Sequence, residues 1–135
     1  MSLAPLLNAS FAIQLHAFAA ISAFGLGIYQ LARRKGTPHH RLTGWIWVIL
    51  MVVVAASAFW IHELHIWGPW SPIHLLSIFT LTMLPIGVWR ARRHKVRAHM
   101  FTMISIFAGA LIIAGIFTLA PGRIMHAVVF GAATP

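Results

Sequence analysis

Ala32-Arg33-Arg34-Lys35-Gly36-Thr37-Pro38-His39-His40 has a counterpart 59 residues on (91 − 32): Ala91-Arg92-Arg93-His94-Lys95-Val96-Arg97-Ala98-His99. Each block is basic, ends on a histidine and separates two long apolar runs. Each is also preceded by an apolar run with a histidine of its own, His16 and His74, at nearly the same offset (74 − 16 = 58). The chain reads as two tandem copies of one histidine-bearing helical hairpin.

The rest of the composition says which solvent such hairpins need. The 135 residues are 60% hydrophobic and 8% charged. Soluble domains carry about 25% charged residues, and a chain this short could not bury so much apolar surface in water. A span needs about 20 mostly apolar residues. Four segments qualify, at about 8–32, 41–61, 71–91 and 99–120. Ser71-Pro72 is a good start for the third, with Ser as N-cap and Pro in the first turn. Pro121-Gly122 is a good stop for the fourth. Short connections force antiparallel neighbours. The expectation is an all-α, integral membrane four-helix bundle in one domain. Its two hairpins are related by a pseudo-two-fold axis along the membrane normal, as in parallel-repeat membrane proteins.

Orientation follows from charge. The chain has ten Lys and Arg against one acid, Glu63. Nine of the ten, all but Arg123, flank the two repeated blocks. That pattern is topogenic rather than nucleic-acid-binding. It predicts a multi-pass protein of a bacterial inner membrane, with loops 33–40 and 92–98 cytoplasmic and both termini outside. Trp45, Trp47, Tyr29 and Trp89 are expected in the inner aromatic belt, and Trp60, Trp67 and Trp70 in the outer one. Without a basic n-region, the first helix is expected to stay in the mature protein. Small residues (Ala19, Ala23, Gly25, Gly27, Ala55, Ala56, Gly109, Ala114) allow close helix approach, within one chain or in a homo-oligomer. Pro85 should kink the third helix or free a carbonyl. The tail from Ile124 to Phe130 reads as an interfacial segment.

Four stretches, Pro38-His39-His40-Arg41-Leu42-Thr43-Gly44-Trp45, Ser71-Pro72-Ile73-His74-Leu75-Leu76-Ser77, Arg97-Ala98-His99-Met100 and Pro121-Gly122-Arg123, together resemble a bacterial family of small four-helix predicted membrane proteins that form a domain of unknown function. The resemblance spans nearly the whole chain. It implies a four-helix fold and a bacterial inner-membrane address, and it implies no activity.

The histidines carry what chemistry there is. Counted back from Ala32 and Ala91, His16 and His74 are 16 and 17 residues in, about 24–26 Å from the basic end at 1.5 Å per residue. They share one depth, and His40 and His99 share another. Intramembrane ionisable groups are functional candidates. Two imidazoles at equal depth on different helices are what bis-histidine haem ligation requires. The leading expectation is therefore a haem-b electron-transfer subunit, with His16/His74 and His40/His99 as axial pairs. Quinone or a redox partner subunit would be its exchange partner. The alternative is a periplasm-facing Zn or Cu site, or a transport-related one, built on His62, Glu63 and His65 with His74. The third reading is a non-catalytic accessory subunit whose histidines only pack, by hydrogen-bonding neighbouring helices. Met51, Met83, Met100 and Met103 are expected to pack rather than to bind copper. The absence of cysteine excludes disulfides, iron–sulfur clusters and thioether-linked haem. One carboxylate, with no phosphate loop and no Ser/His/Asp set, gives no basis for independent catalytic activity.

Overall fold

The computed structural model describes residues 2–61 and 72–131. Four helices in it are long and apolar enough to cross a membrane. The first span is Phe11–Ala32, the second Pro38–Ala58, the third Pro72–Arg92. The fourth runs Val96–Thr118, with a π-helical segment at Phe107–Ile113. A single turn, Ala4–Leu7, precedes them and a short helix, Ile124–Phe130, follows. These two pack on each other, tied by the Ser2 N–H to the Val128 carbonyl at 3.1 Å.

Local chemistry sets the boundaries. The first span starts at Phe11 rather than near Asn8, because the Ser10 hydroxyl caps it by accepting from the Ile13 N–H. The second starts three residues before Arg41: Thr37 accepts from the His40 N–H at 3.0 Å, with Pro38 at the first helical position. The two basic turns close differently. Lys35 donates its ammonium to the carbonyls of Leu31 at 2.7 Å, Arg33 at 2.9 Å and Gln30 at 3.2 Å. At the other turn His94 takes the left-handed conformation (φ 56°), and the Lys95 N–H reaches back to the Arg90 carbonyl at 2.9 Å. Both are ways of satisfying the last carbonyls of a helix. Two of the basic residues therefore have a structural task beside their charge.

Each span packs on the next, and the π-helical segment of the fourth packs back on the first. The four form a ring in which spans one and three, and two and four, are the diagonal pairs. At its centre lie Ala23, Trp47, Met51, Leu84, Ile106, Phe107 and Leu111. Met83 and Met103 pack against this core, whereas Met100 faces outward.

Polarity is inverted relative to a water-soluble bundle. Phe11, Phe101 and Phe117 are 79%, 72% and 69% exposed, while Thr43, Ser57, His74, Ser77, Thr80 and Thr102 are buried. Such a surface suits lipid, where backbone and hydroxyl groups must be satisfied inside the protein. Thr80, Thr82 and Ser105 donate to the carbonyls of Leu76, Ile78 and Phe101, four residues back. They are self-satisfied, and Thr82 faces outward rather than lining a polar track.

One aromatic residue departs from its expected place. Trp47 is a core residue, 6% exposed, and its indole N–H donates to the Ala23 carbonyl at 3.0 Å. Positions two apart on a helix point about 200° apart, so Trp45 faces lipid and Trp47 faces inward. Trp60 is 71% exposed, as a belt residue should be; Trp67 and Trp70 lie outside the described residues. The small residues split as well. Ala19, Ala23, Gly27 and Ala55 are buried, whereas a side chain on Gly25 or Gly109 would meet nothing. The third span continues through Pro85 to Arg92. Proline has no N–H, so the helical bond to the Leu81 carbonyl is absent.

At Gly27 a Cβ would lie 2.5 Å from Phe107 Cε2, so first and fourth spans meet only because that position has no side chain. Gly27→Leu should destabilise the bundle by about 1–3 kcal/mol, and adding Phe107→Ala should recover part of the loss. Unfolding of both variants in mixed micelles, followed by circular dichroism, measures this. Equal destabilisation with and without Phe107 would contradict the contact.

Candidate functional site: two tiers of histidines

At the basic end the repeat reappears as a hydrogen-bond pattern. In the first hairpin the Gln30 side-chain amide donates to the His40 carbonyl at 2.7 Å, and the Thr43 hydroxyl donates to Gln30 Oε1. In the second, Arg90 Nη1 donates to the Thr102 hydroxyl at 2.6 Å, which donates on to the Ala98 carbonyl at 2.8 Å. Thr43 and Thr102 are 59 apart (102 − 43), and each stands three residues after its histidine, as His40-Arg41-Leu42-Thr43 and His99-Met100-Phe101-Thr102. Both threonines are buried, at 7% and 0% exposure.

His99 donates Nδ1–H to the Gly87 carbonyl at 2.8 Å. A carbonyl only accepts, so the proton is on Nδ1 and the neutral ring keeps its lone pair on Nε2. His40 Nδ1 is buried and has no hydrogen-bond partner among the described residues. The two rings are on diagonal spans, close enough for their charges to interact. Arg90 is half-buried beside Thr102. No carboxylate is present among the described residues to pair with it.

The opposite tier is built from neutral groups. His16 donates Nδ1–H to the Val54 carbonyl at 2.8 Å, with the Ser57 hydroxyl 3.1 Å away. Ser57 itself donates to Val54 O at 3.1 Å. Here too Nε2 holds the lone pair. His74 is 2% exposed and packs against Phe59, ring centroids 5.8 Å apart. The first and third spans thus place a histidine each against the C-terminal end of the second span between them. The described contacts do not join His16 directly to His74.

The remaining histidines are peripheral. His39 pairs with the Tyr29 hydroxyl at 2.6 Å, and His126 donates to the Leu119 carbonyl at 2.8 Å and packs on Phe130. His62, Glu63 and His65, the expected metal set, lie outside the described residues. Among the described residues no three His, Cys, Asp or Glu side chains gather as metal ligands do.

Several neighbours of the histidines escaped the sequence reading. Thr43 and Thr102 carried a usable signal, since they repeat at the same offset as the histidines. Arg90 read as topogenic charge, and nothing in one sequence shows its guanidinium turning inward. The carbonyls of Val54 and Gly87 are invisible to any side-chain pattern.

The family described as Predicted membrane protein (DUF2306) matches residues 13–133, and the chain belongs to it. No curated protein and no solved structure matches the chain.

The tautomers are directly measurable. With the histidine rings labelled with ¹⁵N, the neutral rings of His16 and His99 in haem-free protein should show a protonated Nδ1 and a bare Nε2 in micelles. Ser57→Ala should leave the His16 tautomer unchanged, because the Val54 carbonyl alone dictates it. A protonated Nε2 on either ring would refute the assignment.

Proposed function

We propose that this member of the family is a b-type haem-binding electron-transfer subunit, with His40 and His99 as one axial pair and His16 and His74 as the other. The observation that carries this reading is the ring order. It makes spans one and three, and two and four, the diagonals, and each diagonal carries two histidines whose depths, counted along the helices, nearly agree. The donor chemistry agrees. His16 and His99 are oriented through Nδ1 by neighbouring carbonyls and keep Nε2 available, the arrangement that ligating histidines adopt. His40 has a buried nitrogen without a hydrogen-bond partner among the described residues, which a ligand-binding position explains better than a packing role.

Haem held by two imidazoles supplies one-electron transfer and no open position for substrate chemistry. The chain's own residues do the rest. Thr43 and Thr102 fix the turns that present His40 and His99, and Arg90 offers a cation to a carboxylate at that level. Trp47, Met51, Leu84 and Ile106 fill the space between tiers with apolar matter that excludes water. The tiers are about 20 Å apart by helical rise. Electrons would enter or leave through a quinone or a redox partner subunit. The positive-inside principle puts loops 33–40 and 92–98 in the cytoplasm of a bacterial inner membrane and both termini outside.

Protein purified from haem-replete cells should give a reduced-minus-oxidised b-type spectrum. His99→Ala or His74→Ala should each remove about half of the absorbance, one pair being lost. The double variant should be colourless while keeping its helical circular dichroism. Colourless wild-type protein from the same cells would overturn the reading. Sidedness can be tested separately because the chain has no cysteine. Arg34→Cys should resist a membrane-impermeant maleimide in intact cells, and Ala120→Cys should react. The reverse pattern would invert the topology.

A further inference from the structure

Spans two and three enclose a groove of about 530 Å³ in the basic half of the bundle. Val48, Leu81 and Pro85 lie in its apolar wall, and Trp45, Trp89 and Arg92 stand toward its basic end. Arg92 to Leu81 is 11 residues (92 − 81), so the groove extends about 16 Å along the third span. Both tryptophans are about half exposed, at 47% and 48%, so the groove opens to the surrounding lipid.

The internal repeat shows how specific this opening is. Val48 corresponds to Phe107 (107 − 48 = 59) and Pro85 to Gly27 (85 − 27 = 58). At the first–fourth interface Phe107 sits directly on Gly27 and stacks on Phe24, centroids 5.7 Å apart and planes 10° apart. That side of the ring is filled. At the matching place between spans two and three a valine replaces the phenylalanine, and a channel remains. The two halves differ in this cavity.

Its mouth is organised for an anion. Arg92 lies over the Trp45 ring at 5.9 Å, and Lys95 and Arg93 lie over the Trp89 ring at 4.7 and 5.6 Å. Three cations are thereby held on two aromatic platforms, with no carboxylate among the described residues to neutralise them. Cation–π contact fixes the position of such a charge without discharging it. An apolar channel open to lipid, ending at interfacial tryptophans and unneutralised cations, matches an amphiphile with an anionic head and a straight apolar tail. A neutral ring would use the channel and leave the cations idle; a soluble anion would use the cations and leave the channel empty.

We propose that the groove between spans two and three is a specific site for one anionic phospholipid, its acyl chain along Val48, Leu81 and Pro85 and its phosphate at Arg92, the cation that lines the groove, with Arg93 and Lys95 on the adjoining Trp89 adding positive charge. The site is independent of haem, since it faces outward from the ring.

The test is lipid retention. Wild-type protein is reconstituted into nanodiscs of phosphatidylcholine containing a minor fraction of phosphatidylglycerol, extracted into detergent, and examined by native mass spectrometry. About one phosphatidylglycerol per chain should stay bound, with little phosphatidylcholine. Val48→Phe, which copies the filled half of the repeat, should abolish most of this retention at unchanged helical content. Arg92→Gln should weaken it about fivefold, and this exposed residue should not disturb folding if Val48→Phe does. Equal retention of the two lipids by wild type would overturn the proposal. So would undiminished retention in Arg92→Gln, or recovery of a quinone in place of phospholipid.

Discussion

Hydrocarbon offers no hydrogen bonds, and this one property of the solvent dictates how the bundle is joined. A polar group left unpaired in lipid costs several kcal/mol. A paired one in a membrane protein gains only about 0.6 kcal/mol on average. Pairing therefore selects an arrangement more than it deepens the minimum. Trp47 must find a carbonyl, and the one it finds, on Ala23, fixes the rotation of the second span against the first. Gln30 with His40, His16 with Val54, and His99 with Gly87 act in the same way. All four bonds lie within a hairpin, which makes each hairpin the polar unit of the fold. Spans two and three meet at Arg92 over Trp45 near the basic end and at His74 against Phe59 near the other, and the face between them is left with a groove.

The four spans were legible because composition, spacing and charge all respond to the same solvent. Details decided by a single hydrogen bond were read less well. Thr37-Pro38 is as good a start as Ser71-Pro72, yet the basic run beside it drew the second span's expected start to Arg41, and the helix begins at Pro38. Trp47 looked like a belt residue from its neighbourhood in sequence, because depth can be counted along a helix and facing cannot. The π-helical turn at Phe107–Ile113 has no compositional mark; it reflects the packing of Phe107 and Leu111, both buried, against the first span. At the candidate site the histidines stood out by type and repeat. Their orienting groups did not, being mostly main-chain carbonyls.

The repeat is best kept where polar groups must be paired and least kept where apolar groups only fill space. Histidine and threonine recur at the basic end with one offset, and both hairpins tie that threonine to the C-terminal end of the preceding helix. Between these points the copies diverge, with Phe107 on Gly27 on one side and Val48 beside Pro85 on the other. Apolar packing tolerates such exchange if volume is conserved. Here the summed side-chain size is nearly kept, since proline adds most of what the change from phenylalanine to valine removes, but its placement changes, and the groove lies where the ring is absent.

The same contrast separates the two histidine tiers. In the opposite tier the Val54 carbonyl sets the His16 tautomer with the Ser57 hydroxyl beside it, and neither adds charge. The basic tier adds Arg90, a half-buried guanidinium whose described side-chain partner is the neutral Thr102. Topology alone does not explain that placement, since an arginine serving only as a positive-inside signal gains most by reaching into water with Arg92 and Arg93. Turning inward sacrifices hydration, and one hydrogen bond to a hydroxyl recovers only a part of it. A guanidinium so placed is best satisfied by an anionic oxygen at the level of His40 and His99. Under the proposed reading a haem propionate would supply that oxygen.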